Sequence, residues 1–214
     1  MADALLSSPA VRMVSAWRDY VELVKPRVTS LVLVTTAGGF WLGMRSGDSA
    51  GSLPLVLLGT ALAAGGANAL NQWSERAHDA LMQRTKTRPL PSGRLSADAA
   101  RRFGVVLAAA GSLLLASAVH WLPGALAAIT IVTYVVLYTP MKRVTSLCTL
   151  VGAVPGALPP MIGWAAARHT LGLEAWTLFG ILFLWQLPHF LAIAALFRDD
   201  YARAGFRMLP VEDP

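Results

Sequence analysis

The chain has 214 residues, of which 55% are hydrophobic and only 14% charged. A soluble domain carries about 25% charged residues, so this composition excludes a soluble globular protein and points to a bilayer. The lone cysteine, Cys148, excludes an intrachain disulfide and a cysteine metal cluster.

Residues 1–27 are polar and mixed in charge, lack the apolar run of a cleavable signal, and read as a cytoplasmic N-terminal segment. Beyond them the charges fall away in blocks. A helix needs roughly 20 apolar residues to cross the hydrocarbon core, and the uncharged blocks predict spans at 28–44, 53–74, 103–121, 124–141, 147–167 and 175–197. The first is short but carries Trp41 near one end, where an aromatic ring suits the interface. The 39 uncharged residues between Arg102 and Lys142 are too many for one crossing and are divided at Leu122-Pro123-Gly124. The expected fold class is therefore all-α, a polytopic transmembrane helical bundle with residues 28–214 forming the membrane domain.

The second span runs into the most informative stretch. Asn71, Glu75 and Asp79 are spaced i, i+4, i+8, and Asn68 stands one turn earlier. On a helix they make one stripe that drifts about 40° per step. Polar groups starting inside a span are expensive unless they line a cavity or bind something. Two carboxylates and an amide supply oxygen ligands of the kind Mg²⁺ takes, with phosphate oxygens completing its shell. Arg84 and Arg88 follow directly and could clamp a diphosphate. Gly65 and Gly66, just before the stripe, would leave room for a chain or ring. Arg94, Arg101 and Arg102 read as topology residues.

The fourth span ends in Tyr138-Thr-Pro-Met-Lys142-Arg143, where Lys142 serves either topology or phosphate binding. The fifth carries Pro155, Pro159 and Pro160, which predict broken helix. The sixth contains Trp185-Gln186-Leu-Pro188-His189-Phe190 and leads to Arg198-Asp199-Asp200-Tyr201. His189 reads equally as a packed histidine or a functional one. Asp199 and Asp200 are either a solvated helix end or a second acidic cluster facing the first.

With the N-terminus placed in the cytoplasm, sixteen of the eighteen Lys and Arg residues fall on that side, leaving only Arg45 and Arg168 outside. This positive-inside pattern accounts for the formal charge of +6 without nucleic acid. It also places both ends of the chain, and both acidic clusters, on the cytoplasmic face.

At these motifs the sequence resembles the UbiA superfamily of intramembrane aromatic prenyltransferases, over roughly residues 20–214. Asn71, Glu75 and Asp79 match its Asn-x-x-x-Asp-x-x-x-Asp pattern, with Glu75 where aspartate is usual. The tract Arg76-Ala77-His78-Asp79 lacks an acidic position that relatives often have. The Met82-x-Arg84-Thr-x-x-Arg88-Pro89 tract, Tyr138-Thr-Pro with Lys142-Arg143, Trp185-Gln-x-Pro188-His189-Phe190, Asp200-Tyr201 and Lys25-Pro26-Arg27 resemble the branch that prenylates heme. The resemblance implies a Mg²⁺-dependent transfer of farnesyl from farnesyl diphosphate to heme b, giving heme O in a bacterial inner membrane. It implies Asn71, Glu75, Asp79 and Asp200 as catalytic and metal-holding residues. It further implies substrate contacts by Arg27, Asn68, Arg84, Arg88, Tyr138, Lys142, Arg143, His189 and Asp199. Heme A synthase or terminal oxidase assembly factors are the implied protein partners, beside the lipid bilayer. A transferase acting on a quinone or chlorophyll precursor shares the diphosphate site, and a transporter would place its polar residues nearer mid-membrane. The family plan has nine helices, so the six spans up to Pro214 are expected to be the first six, and a chain ending there is expected to turn over poorly.

Overall fold

The computed structural model describes residues 17–212. Among them the regular structure is helical, with no strand. Of the expected N-terminal segment only the part from residue 17 onward is described, and Arg12 lies outside the described residues.

Residues 17–23 are helical and lead through Lys25 into α1 (Pro26–Gly43). Then come α2 (Leu53–Asp79), α3 (Ala97–Ala118) and α4 (Trp121–Val132). α4 continues without a break through a π-helical turn, Thr133–Tyr138, into Thr139–Met141. α5 (Cys148–Ala157) and α6 (Pro159–Arg168) form the broken span, followed by α7 (Leu173–Leu196) and the short α8 (Arg198–Arg203). The α5–α6 break falls at Leu158, ahead of the expected Pro159-Pro160 pair.

Among the described residues, five helical runs are long and apolar enough to cross a membrane: Ala50–Asp79, Ala97–Ala118, Trp121–Met141, Cys148–Arg168 and Leu173–Leu196. By that measure the expected six spans become five. The expected 28–44 segment is helical, as α1, yet its 18 residues rise only about 27 Å. Pro26, Arg27 and the hydroxyls of Thr29, Ser30, Thr35 and Thr36 also dilute its apolar character.

The expected turn at Leu122-Pro123-Gly124 is corrected as well. α3 ends at Ala118, and His120 caps α4 by accepting the Leu122 N–H at Nδ1, 3.3 Å. Pro123 therefore sits inside the first helical turn, where an N–H has no helical partner to lose.

Large apolar side chains such as Leu31, Val34, Trp41, Leu113, Ile129 and Leu184 point outward, while the interior is rich in alanine and glycine. This is the packing mode of helices in lipid, where small residues let backbones approach. α1 crosses α6 this way: a Cβ on Gly39 would lie 2.0 Å from the Pro160 carbonyl oxygen, and one on Gly163 would lie 1.9 Å from that of Thr36. Gly66 does the same against the Gly104–Ala108 backbone of α3, and Gly65 faces Val24. Neither opens a space for a ligand, because helix–helix contact already uses the missing side chains.

Candidate active site

α2 remains helical to Asp79, five residues beyond the expected span end at 74, so Asn68, Asn71, Glu75 and Asp79 share one rigid element. All four are buried, Asp79 at 1% exposure. Carboxylates so deep in a helical bundle need compensating charge, and three other parts of the chain supply it. From the end of α4, Lys142 Nζ lies 2.7 Å from Glu75 Oε1. From the loop after α2, Arg88 Nη1 donates to Asp79 Oδ2 at 2.9 Å. From the segment before α1, Lys25 Nζ donates to Asn71 Oδ1 at 3.3 Å.

The same geometry explains the neighbours. Asn71 Nδ2 donates to Thr139 Oγ1 at 3.1 Å, and that hydroxyl donates to the Tyr134 carbonyl at 2.7 Å, inside the π turn. Tyr134 stacks on Tyr138, and Lys142 Nζ sits 4.5 Å above the Tyr138 ring. Burial opposes the charge on Lys142, but the Glu75 carboxylate outweighs it and holds the lysine pKa well above its ordinary value. Lys25 goes the other way. Burial and then the Arg88 charge bring its pKa down to about 7, against the pull of Glu75 and Asp79.

Lys25 is held there deliberately. Its backbone is left-handed, φ 47°, a conformation disfavoured for residues with a side chain. Pro26 disfavours the right-handed helical region for the residue before it. Gln72 Nε2 donates to the Leu23 carbonyl at 2.8 Å, and Asn68 Nδ2 donates to the Val24 carbonyl and Thr29 Oγ1, each at 3.4 Å. Asn68, expected to touch substrate, thus fastens the turn that presents Lys25.

Two buried carboxylate oxygens bear on metal binding. Asp79 Oδ1 has no hydrogen-bond partner among the described residues, and Glu75 Oε1 faces Lys142 Nζ at 2.7 Å. Among the described residues no three His, Cys, Asp or Glu side chains converge to hold a metal. Two buried carboxylates on one helix face, one with an oxygen that has no hydrogen-bond partner, fit an ion that takes one or two carboxylates and completes its shell with water and phosphate, as Mg²⁺ does.

The second acidic cluster is not part of the stripe. Asp199 is exposed, and Asp200 binds the backbone N–H groups of Gln83 and Arg84. The side chain of Arg84 leans over the Phe197 ring at 4.7 Å and reaches the Tyr201 hydroxyl at 3.4 Å. Arg27 and Arg143 are exposed and join none of the polar contacts of the stripe. His189 is exposed on α7 and stacks on Trp185, ring centres 5.1 Å apart, while Gln186 turns inward to the Ala153 carbonyl. Sequence reasoning named Lys25 only within the Lys25-Pro26-Arg27 tract and in the count of basic residues, and gave Gln72, Thr139 and Tyr134 no role. The Lys-Pro step before the first span was the available signal for Lys25.

The sequence profile of the UbiA prenyltransferase family matches residues 32–213. The protoheme IX farnesyltransferase of Solibacter usitatus is 50% identical over 206 residues, covering 92% of this chain and 70% of that protein. The protoheme IX farnesyltransferase of Koribacter versatilis is 46% identical, covering 96% of this chain and 67% of its own length. Among solved structures, a UbiA homolog from Archaeoglobus fulgidus bound to DMAPP and Mg²⁺ superposes with a TM-score of 0.73 at 18% identity, covering 91% of this chain and 69% of that one. A structure of digeranylgeranylglyceryl phosphate synthase gives 0.76 at 16% identity, covering 92% and 68%. At those identities the likeness is one of fold, and the sequence matches carry the kinship: this chain belongs to the UbiA prenyltransferase family.

Proposed function

We propose that this protein transfers a farnesyl group from farnesyl diphosphate to the 2-vinyl group of heme b, giving heme O and diphosphate at the cytoplasmic face of a bacterial inner membrane. The observation that carries the reading is the buried Asn71–Glu75–Asp79 stripe ringed by Lys25, Arg88 and Lys142. The names of the protoheme IX farnesyltransferases, close in sequence over most of this chain, support heme as acceptor. The gathering of basic residues on one side supports the orientation.

Without substrate, Lys142 and Arg88 neutralise Glu75 and Asp79, and Lys25 meets Asn71. Asn71, Glu75 and Asp79 would hold Mg²⁺, and Lys25, Arg88 and Lys142 would meet the phosphate oxygens. The ion supplies positive charge where the leaving diphosphate gains negative charge. Lys142, kept charged by its surroundings, and Arg88 add to that stabilisation. The C1–O bond of the farnesyl group breaks, the vinyl carbon of heme attacks the allylic cation, and water adds to the new cation with loss of a proton. Residues of α5, α6 and the π turn exclude bulk water from the first cation, and His189 with Trp185 on α7 orients the porphyrin. Membranes of the cells that naturally make the protein, supplied with hemin, farnesyl diphosphate and Mg²⁺, should form heme O, detected by mass spectrometry. A farnesylated phenolic product in place of heme O would move the protein to a quinone-type acceptor.

The low pKa of Lys25 gives a pH signature. Below about 7 its ammonium is charged and attracts diphosphate; above that value the free protein loses the charge. kcat/KM for farnesyl diphosphate, which reports free-enzyme ionisations, should therefore fall as pH rises through about 7. Lys25→Arg keeps its charge throughout and should flatten the profile. An unchanged profile in that variant assigns the dependence elsewhere.

A further inference from the structure

We infer that Arg94 is a positioning residue for diphosphate binding: it locks the segment that presents Lys25 onto the turn that presents Arg88. The inference rests on the diphosphate site proposed above. Arg94, expected to serve topology, turns its guanidinium between two carboxylates. Its Nε lies 3.0 Å from Asp19 Oδ1, and its Nη2 donates to Glu22 Oε2 at 2.8 Å. Both carboxylates stand on the helical segment 17–23, and Glu22 is 72 residues from Arg94 in the chain. Ion pairs between exposed groups add little to stability. Asp19 is not such a group: it is only 7% exposed, and among the described residues Arg94 is the cation that meets it. A buried carboxylate needs that charge, so the contact fixes the place of the segment.

Each end of this clamp carries one cation of the site. On the loop side, the Ser92 N–H and Oγ both donate to the Arg88 carbonyl, at 3.0 and 2.6 Å, and the Leu95 N–H donates to the Pro89 carbonyl at 3.1 Å. Arg88 and Arg94 therefore belong to one closed turn. On the segment side, the Lys25 N–H donates to the Glu22 carbonyl at 3.2 Å, so Glu22 meets Arg94 through its side chain and Lys25 through its backbone. Beneath the ion pairs, Leu23 and Leu90 share a buried apolar cluster with Ala69 and Ala100, and Tyr20 packs on Phe103 with ring centres 4.8 Å apart. The left-handed backbone of Lys25 is a strained conformation that persists only where its surroundings over-determine it. Asn68 and Gln72 hold that turn from α2, and Arg94 holds it from the loop. Lys25 and Arg88 come from distant parts of the chain, and Arg94 sets the spacing of the backbones that bear them.

The test puts Arg94→Ala, Arg94→Lys, Asp19→Asn and the Arg94→Ala/Asp19→Asn double variant in place of the natural chain and assays the membranes of those cells. KM and kcat for farnesyl diphosphate are read together with hydrogen exchange of the amides of residues 17–24. A positioning role predicts that Arg94→Ala raises KM about tenfold or more, with a smaller change in kcat. The 17–24 amides should exchange faster in the same variant. Arg94→Lys keeps the charge without the two-pronged reach and should recover part of the loss. Asp19→Asn should raise KM as well, and the double variant should be little worse than Arg94→Ala, because both changes remove one contact. Arg101→Ala removes an equal charge on the same side, from a residue paired with the exposed Asp98, and should behave as wild type. A wild-type KM in Arg94→Ala would overturn the inference, as would equal losses in Arg94→Ala and Arg101→Ala, or fully additive effects in the double variant. Should Arg94→Ala fail to fold, Arg94→Lys and Asp19→Asn decide by the same measurements. If the wild type makes no heme O, the proposed acceptor fails, while binding of farnesyl thiodiphosphate with Mg²⁺ and the amide exchange still decide on Arg94.

Discussion

Asp79→Asn is expected to lower heme O formation by about 100-fold or more, as loss of a charge-stabilising group at a reacting centre does. The substitution keeps the shape of the side chain and removes one of the two stripe charges. Its partner Arg88 is 23% exposed and can turn to water, so the bundle should remain folded. Glu75→Gln should be as inactive and also less stable. It strands Lys142, whose side chain is only 12% exposed, and an unpaired buried charge costs on the order of 3 kcal/mol. Product is read by mass spectrometry, and folding by the protection of Cys148, which is fully buried. Near-normal heme O from Asp79→Asn would remove the stripe from the chemistry.

Gly163→Val is expected to give a large loss of stability. Its Cβ alone would stand 1.9 Å from the Thr36 carbonyl oxygen and 2.6 Å from the Phe40 nitrogen, both backbone atoms that cannot swing aside. α1 and α6 would have to separate, at a cost of about 3 kcal/mol. Because α1 follows directly on Lys25, the cation that meets Asn71 should be displaced too. Gly180→Ala is the control: nothing lies within 4 Å of its added Cβ, and a helical Gly→Ala change is favourable by about 0.5–1 kcal/mol. Thermal unfolding followed by tryptophan fluorescence separates the two; equal midpoints would mean that the α1–α6 crossing is looser than its geometry.

The stripe was legible because Asn71, Glu75 and Asp79 lie on one helix, and helical periodicity is written in the sequence itself. Arg88 was legible for a related reason, standing nine residues from its partner. The partners of Asp200 are 116 and 117 residues away, and no local pattern announces a contact at that separation. Lys25 was hidden differently. Near the end of a span a lysine is expected for topology, and only Gln72 and Asn68, reaching across from α2, turn it inward. The α3–α4 turn was misplaced because Pro and Gly are read as breakers, although proline is equally at home in the first turn of a helix.

The π turn before Thr139 gives α4 one place where its length can change by a residue without turning the site, a property that side-chain chemistry does not capture. A helix is a screw, and inserting or deleting one residue turns everything downstream by about 100°. π turns of this kind arise as one-residue expansions of an α-helix. Thr139 and Lys142 meet Asn71 and Glu75 just past the expansion. Removing one residue from Thr133–Tyr138 would close the bulge into a regular helix and leave the hydroxyl and the ammonium facing α2, whereas the same deletion in the regular turns of Trp121–Val132 would swing both away from the stripe. The angular setting of Thr139 and Lys142 is thus counted out in the residues of α4, with slack for one at the π turn.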